Sequence, residues 1–180
     1  MPQQLTGTAP AAPKRASESA TEMVQVVLPN DANPLGFILG GTVMHLIDIA
    51  GAIACHRHTR SLLVTAAVDG LQFLHPIKVG DLIILRARVT AAWTTSLEVE
   101  VEVFSEETTT GIRRLTSRAF LTFVAISRDG QRVQIPGLIV ETEEDRQKVI
   151  AAEARRSDRL TARKELEARC DLLAASDRNQ

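Results

Sequence analysis

The chain has 180 residues, 44% of them hydrophobic, and a formal net charge of −1. That is enough apolar material for one core and too little length for two ordinary domains. Near-neutrality, the lack of a Lys/Arg run and the supply of one Trp, five Phe and no Tyr argue against nucleic acid as a partner.

Residues 1–22 open with MPQQLTGTAPAAPKRASESA, a stretch of Ala, Pro, Ser and Thr without the apolar centre of a secretory signal. It reads as a disordered N-terminal segment. No stretch approaches the roughly 20 apolar residues of a membrane span, so no membrane partner is expected. Cys55 and Cys170 suggest neither a disulfide framework nor a metal knuckle. The simplest compartment is a reducing cytoplasm.

Met23–Leu28 is a strand candidate, and Pro29–Gly36 is a loop marked by Asn, Asp, Pro and Gly. The Gly40–Gly41 pair then opens a helical pattern over Thr42–His58. Val43, Ile47, Ala50 and Ala54 share one face, and Leu46 and Ile53 widen it. A helix so nearly apolar is expected to be wrapped by other elements. Near its middle sits one unpaired carboxylate, Asp48, which is costly to bury unless it finds partners or serves chemistry. The glycines leave backbone N–H groups bare at the helix start, which suits an anion or a developing oxyanion. A base and an oxyanion site two turns apart suggest acyl chemistry. From the residues alone, Asp48 reads equally well as a structural carboxylate that hydrogen-bonds a loop. His45, His56, His58 and His75 show no metal-ligand spacing, and no metal is expected.

Four strands follow: Leu62–Leu74, Leu82–Trp93, Ser96–Ser105 and Arg114–Ser127. Turn signals stand at Gly80–Asp81, Thr108–Gly111 and Arg128–Gly130. The stretch LEVEVEV alternates strictly, which turns its Val face inward and Glu98, Glu100 and Glu102 toward water. Glu141–Ala175 is a charged helix with a thin apolar stripe of Val149, Ile150, Leu160, Leu166 and Leu173. It reads as a solvated tail. The expected organisation is a disordered segment over 1–22, one domain over 23–138 and a helical tail over 139–180.

One buried helix followed by four long antiparallel strands is an α+β layer architecture. The blocks PNDANPLGFILGG, MHLIDIAGAIACHRH, VTAAVDGLQFLHPIKVGD, TTSLEVEVEVFSE, RRLTSRAFLTFVAIS and DGQRVQIPGL occur in that order. Together they resemble the hotdog-fold acyl-CoA thioesterases, the branch of the YciA-like and brain-type enzymes, over roughly Met23 to Leu138. The resemblance implies a hotdog fold, a long antiparallel sheet wrapped around one central helix. It implies hydrolysis of acyl-CoA to the free acid and CoA, with Asp48 as general base or nucleophile. The backbone N–H of Gly41 or Gly40 would hold the oxyanion.

Relatives carry Asn, Asp or Thr just after the loop glycine, where this chain has Phe37. Phe37 is therefore expected to shape the acyl pocket together with Phe73, and the nearby Asn33 is the candidate to position water. Ser96 and Arg114 are the candidates for the CoA nucleotide. No cofactor is implied, because CoA is part of the substrate. The resemblance also implies a homodimer with active sites at the interface, assembled as a trimer of dimers. A non-catalytic acyl-CoA-binding module of the same fold is the competing reading.

Overall fold

The computed structural model describes residues 12–177. The elements in chain order are β1 (Lys14–Arg15), β2 (Thr21–Val26), α1 (Gly40–Thr59), β3 (Leu62–Phe73), β4 (Leu82–Ala92), β5 (Ser96–Glu106), β6 (Arg113–Ile126), β7 (Leu138–Ile139) and α2 (Glu143–Asp177). Five strands form one antiparallel sheet in the order β2-β4-β5-β6-β3, and β1 pairs in parallel with β7.

The sheet wraps α1 on one face. Val99, Val101 and Val103 of β5 and Leu121 and Phe123 of β6 meet Val43, Leu46, Ile47, Ala50 and Ala54 of the helix in one apolar core. Small residues set how closely the two layers approach. A Cβ added at Gly51 would lie 3.2 Å from both Phe123 Cε2 and Val99 Cγ1, tighter than ordinary van der Waals contact. The helix ends where Arg60 turns left-handed, with φ 55, and its N–H bonds His56 O at 2.9 Å. It starts at Gly40, so the glycine pair forms its first turn instead of preceding it.

Two sequence expectations are corrected here. Residues 14–22 are ordered, because short side chains and backbone bonds build a strap against α1 and β4. Ala16 and Ser19 are buried. The Ser19 hydroxyl accepts from Val89 N–H at 3.0 Å and donates to Ala16 O at 2.6 Å, supplying β4 with an acceptor beyond the end of β2. The segment expected to be disordered extends over residues 1–22, and its first eleven residues lie outside the described ones.

The second correction concerns the outer face of the sheet. Val99, Val101 and Val103 do point inward, but Glu98 and Glu100 do not face water. They are 0% and 7% exposed, because α2 lies across them. The Arg155 guanidinium reaches Glu98 through two bonds of 2.7 and 3.0 Å, and Lys148 reaches Glu100 at 2.9 Å. Arg88 of β4 pairs with Asp145 at the start of α2, and Arg155 also stacks 3.6 Å from the Phe120 ring centroid. α2 therefore docks through charged side chains around the buried Ala152, and its thin apolar stripe does not direct the packing. No described helix is long and apolar enough to cross a membrane.

The C-terminal end of α1 carries His58, which is fully buried. Its Nε2 lies 3.0 Å from Pro136 O, so that nitrogen carries the proton and donates. Burial lowers the His58 pKa below the ordinary 6.5; the bond to Pro136 opposes this, and nearby Lys14 adds to the lowering.

Two outcomes are expected. Arg155→Ala leaves Glu98 buried and unpaired, so it should destabilise the chain by about 2 kcal/mol or more, with Arg155's partial exposure holding the effect below that of a fully buried pair. The double change Glu98→Leu with Arg155→Met should recover most of the loss in a denaturant titration. For His58, the unfolded chain binds a proton as pH falls through about 6.5 while the folded chain does not. Stability should therefore decline on acidification from that value toward the lowered folded pKa. Thermal melts between pH 7 and 5 should show a shallower decline for His58→Gln, whose amide can still donate to Pro136 O.

Candidate active site

The loop entering α1 is built by hydrogen bonds. Asn33 Oδ1 accepts from Leu35 N–H at 3.0 Å and Phe37 N–H at 3.2 Å, and Asn33 N–H donates to Phe37 O at 2.8 Å. Gly36 takes φ 79, a conformation that other side chains rarely adopt. Leu39 N–H donates to Asp31 O at 2.8 Å and Ile38 N–H to Ile77 O at 2.9 Å, which ties the loop to the segment after β3. Because both contacts of the Asn33 side chain use Oδ1, its amide N–H₂ is the group left to face outward from the turn.

This loop closes one side of a cavity of about 380 Å³. Asn33, Phe37, Gly40 and Phe73 line it together with Val43, Ile77 and Ser117. Four of the candidates read from the sequence thus meet at one place. The Phe73 ring packs over the helix start, where a Cβ on Gly40 would lie 3.5 Å from Phe73 Cζ. Gly41 is exposed, and a Cβ built on it would meet nothing within 4 Å. No side chain caps the first turn, so its N–H groups remain available to an acceptor.

Asp48 is half-buried, and it is not unpaired as the sequence suggested. Thr65 Oγ1 of β3 donates to Asp48 Oδ1 at 2.6 Å. Asp48 and Thr65 do not line the cavity at the helix start. Eight residues separate Asp48 from Gly40, about 12 Å along the helix. Within the chain, the free donors at the start of α1 and the carboxylate further along it are therefore separate features of one helix. Cys55, two turns beyond Asp48, has its thiol pushed up by burial and further by the Asp48 charge, so it stays protonated and is no nucleophile.

Two sequence candidates do not converge. Ser96 opens β5 opposite Val124, whereas Arg114 faces Ser105 at the other end of the same strand pair. Nine residues of extended chain separate these ends, about 30 Å, so within one chain they cannot hold a single nucleotide. Among the described residues, no cluster of His, Cys, Asp or Glu could hold a metal ion.

Thr65 was not legible in the sequence. It is one residue of a strand rich in Val, Ala and Leu, and only the crossing of β3 against α1 brings its hydroxyl to Asp48. A register irregularity between Thr65 and Ala67 in the pairing with β6 lies beside it.

An antiparallel sheet wrapped around one central helix is a hotdog architecture, and comparison with known proteins agrees. A family model described as the thioesterase superfamily matches residues 35–112. The chain is 40% identical over 128 residues to the uncharacterized acyl-CoA thioester hydrolase YkhA of Bacillus subtilis, covering 71% of this chain and 74% of that one. It spans only 36% of the longer cytosolic acyl coenzyme A thioester hydrolase of Homo sapiens, at 31% identity. Among solved structures, an acyl-CoA hydrolase variant from Staphylococcus aureus in complex with coenzyme A superposes with a TM-score of 0.84 at 32% identity, over 91% of this chain and 98% of that one. A hexameric acyl-CoA thioesterase gives a TM-score of 0.80 at 36% identity, over 84% and 97%.

The Staphylococcus aureus enzyme has also been solved with single alanine replacements of an asparagine, an aspartate and a threonine. Its aspartate follows the asparagine by 15 residues and its threonine follows the aspartate by 17. Asn33, Asp48 and Thr65 have the same separations.

The chain belongs to the hotdog-fold acyl-CoA thioesterase family. It is an enzyme that hydrolyses acyl-CoA thioesters, and the reading as a non-catalytic binding module falls away.

Proposed function

We propose that Asp48 is the general base of this hydrolysis and that Asn33, Thr65 and the start of α1 complete its site. The observation that carries the reading is the Thr65–Asp48 hydrogen bond. The Thr65 hydroxyl holds Oδ1 and fixes the carboxylate plane, which leaves Oδ2 to accept a proton from water. That water attacks the thioester carbonyl. The carbonyl oxygen gains negative charge facing the N–H groups of Gly41 and Gly40, where the helix start favours an anion. Collapse of the tetrahedral intermediate expels the CoA sulfur, and the proton held by Asp48 returns to it. Phe37, Phe73 and Val43 give the acyl chain an apolar wall at the cavity beside Asn33.

The second part of the proposal concerns assembly. Asp48 lies about 12 Å from Gly40 along one helix, too far for both to reach one carbonyl within a protomer. The free edge of β3 exposes Leu62, Val64, Val68 and Phe73, and Leu39 just before α1 and Met44 in its first turns are exposed too. Pairing of two β3 edges about a twofold axis satisfies their backbone groups. It also lays two α1 helices side by side, so that Asp48 of one protomer serves the Asn33–Gly40 pocket of the other. Three such dimers make a hexamer, and two solved thioesterases of this fold are hexamers. Both described cysteines are free, which suits a reducing cytoplasm.

Thiol release from acyl-CoA should fall about 100-fold or more in kcat for Asp48→Asn. Thr65→Val and Asn33→Ala should lose less, with the Thr65 change acting mainly on kcat. Full activity in Asp48→Asn would refute the role of this carboxylate. Mixing Asp48→Asn with Asn33→Ala protein during refolding tests the shared site. Random pairing makes half the dimers hybrids with one intact site, so activity should recover to about a quarter of wild type. No recovery, or a monomer in light scattering, would sink the shared-site arrangement.

A further inference from the structure

The cavity beside the start of α1 carries a group that a plain acyl chain does not use. Phe37, Val43, Phe73 and Ile77 give it apolar walls, yet Ser117 of β6 lines it as well. Ser117 lies on the inner face of the sheet, in one row with Ala119, Leu121 and Phe123, all three of which belong to the apolar core. Its cross-strand neighbours are Val103 on β5 and Phe73 on β3, and it is only 1% exposed. A polar side chain thus stands where the strand otherwise packs hydrocarbon against the helix.

Its hydroxyl makes no bond to another described residue. Thr116 beside it is different, since Thr116 Oγ1 donates to Val103 O at 3.0 Å, and Thr90 Oγ1 on β4 donates to Glu98 Oε1 at 2.7 Å. A buried hydroxyl without a partner is a standing cost, and the cavity is the side from which a partner reaches Ser117. Phe73 measures how deep that partner must lie. It sits directly opposite Ser117 in the ladder, while the tip of its ring is 3.5 Å from a Cβ built on Gly40. About one phenylalanine side chain therefore separates Ser117 from the N–H groups of the helix start. A thioester carbonyl held at those groups spans this gap when its third or fourth carbon carries an oxygen, with a hydrogen bond of about 2.8 Å completing the length.

We propose that Ser117 selects acyl groups bearing a hydroxyl or oxo oxygen on the third or fourth carbon over unsubstituted acyl groups of the same length. The serine donates to an oxo oxygen and either donates to or accepts from a hydroxyl. A saturated chain in the same place leaves the buried hydroxyl unpaired. A pocket with a polar group to satisfy rejects a substrate lacking the matching atom more sharply than an apolar pocket rejects one of the wrong size. The inference rests on placing the thioester carbonyl at the start of α1, as in the proposed reaction. It concerns the ratio between substrates and not the rate of the chemical step they share.

The test is kcat/KM of the full chain for three acyl groups of equal length: pentanoyl-CoA, 3-hydroxypentanoyl-CoA in both configurations, and 4-oxopentanoyl-CoA. At least one oxygenated substrate should exceed pentanoyl-CoA by about tenfold, the factor expected for one hydrogen bond in a dry pocket. Ser117→Ala should abolish that advantage, and its melting temperature should not fall below that of wild type, because no bond within the fold is lost. Thr116→Val removes the adjacent hydroxyl, which bonds within the sheet, and should keep the advantage. Asp48→Asn should lower every rate and preserve the order of substrates, so a failure of the proposed base and a failure of this selectivity are read separately. Preference for pentanoyl-CoA over every oxygenated substrate, an advantage that persists in Ser117→Ala, or a clear drop in that variant's melting temperature would overturn the proposal.

Discussion

How closely α1 can lie against the sheet governs everything at this site. Gly51 faces Val99 and Phe123 at a separation that leaves no room for a methyl group without displacement, and Ala50 and Ala54 on the same side are fully buried. These small residues let a long apolar helix settle between its strands and fix its height above them. Asp48 and the Gly40–Gly41 turn ride on that one rigid element, so their separation is set by helix geometry and not by a flexible loop. Thr65 reaches Asp48 only because β3 passes at the distance that this packing allows. Precision at the carboxylate thus descends from packing in the core, which is the more dependable way to hold a reacting group.

The other face of the sheet is held by a different force. α2 carries little apolar surface toward β4, β5 and β6. It brings Arg155, Lys148 and Asp145 to Glu98, Glu100 and Arg88. Each of these pairs gives up hydration, so the layer adds less stability than its bond count implies. What it adds is definition. Glu98 accepts from both Arg155 and the Thr90 hydroxyl, and a shift of α2 by one turn would strand it without a counter-charge. Lys148 shows the balance: burial disfavours its charge, but Glu100 and Glu144 outweigh that and raise its pKa. The helix is locked in register by the cost of misplacing charges more than by the gain of placing them.

This difference explains which parts of the molecule the sequence discloses. The strands alternate or run apolar, and their limits can be read to within about two residues because that pattern is local. Asp48 stands out for the same reason, as a carboxylate inside an apolar helix. Thr65 does not, since nothing in its neighbours tells a threonine that bonds the helix carboxylate from an ordinary strand threonine. The strict alternation around Glu98 and Glu100 correctly separates two faces but is silent on what covers the second one. A helix that docks through charge leaves no apolar stripe to betray it. The strap over 14–22 is hidden likewise, because Ala16 and Ser19 are buried for their small size and hydrogen bonds and not for hydrophobicity.

β3 is where these separate constraints meet. It is an edge of the sheet, with Leu62, Val64 and Val68 exposed. Thr65 turns to α1 and the carboxylate, while Asp69 pairs with Arg159 of α2. Two register irregularities interrupt its pairing with β6, one between Thr65 and Ala67 and one between Asp69 and Gln72. Such irregularities bend a strand and re-aim its side chains, and here they lie beside Thr65 and Asp69. A strand with a free edge and an interrupted ladder is also less firmly held than β4 or β5. The Arg159–Asp69 pair ties this same strand, which orients Thr65, to α2. Thr65, which holds the carboxylate, and Asp69, which holds α2, therefore ride on one mechanical element, and the geometry of Asp48 depends on how firmly β3 is held.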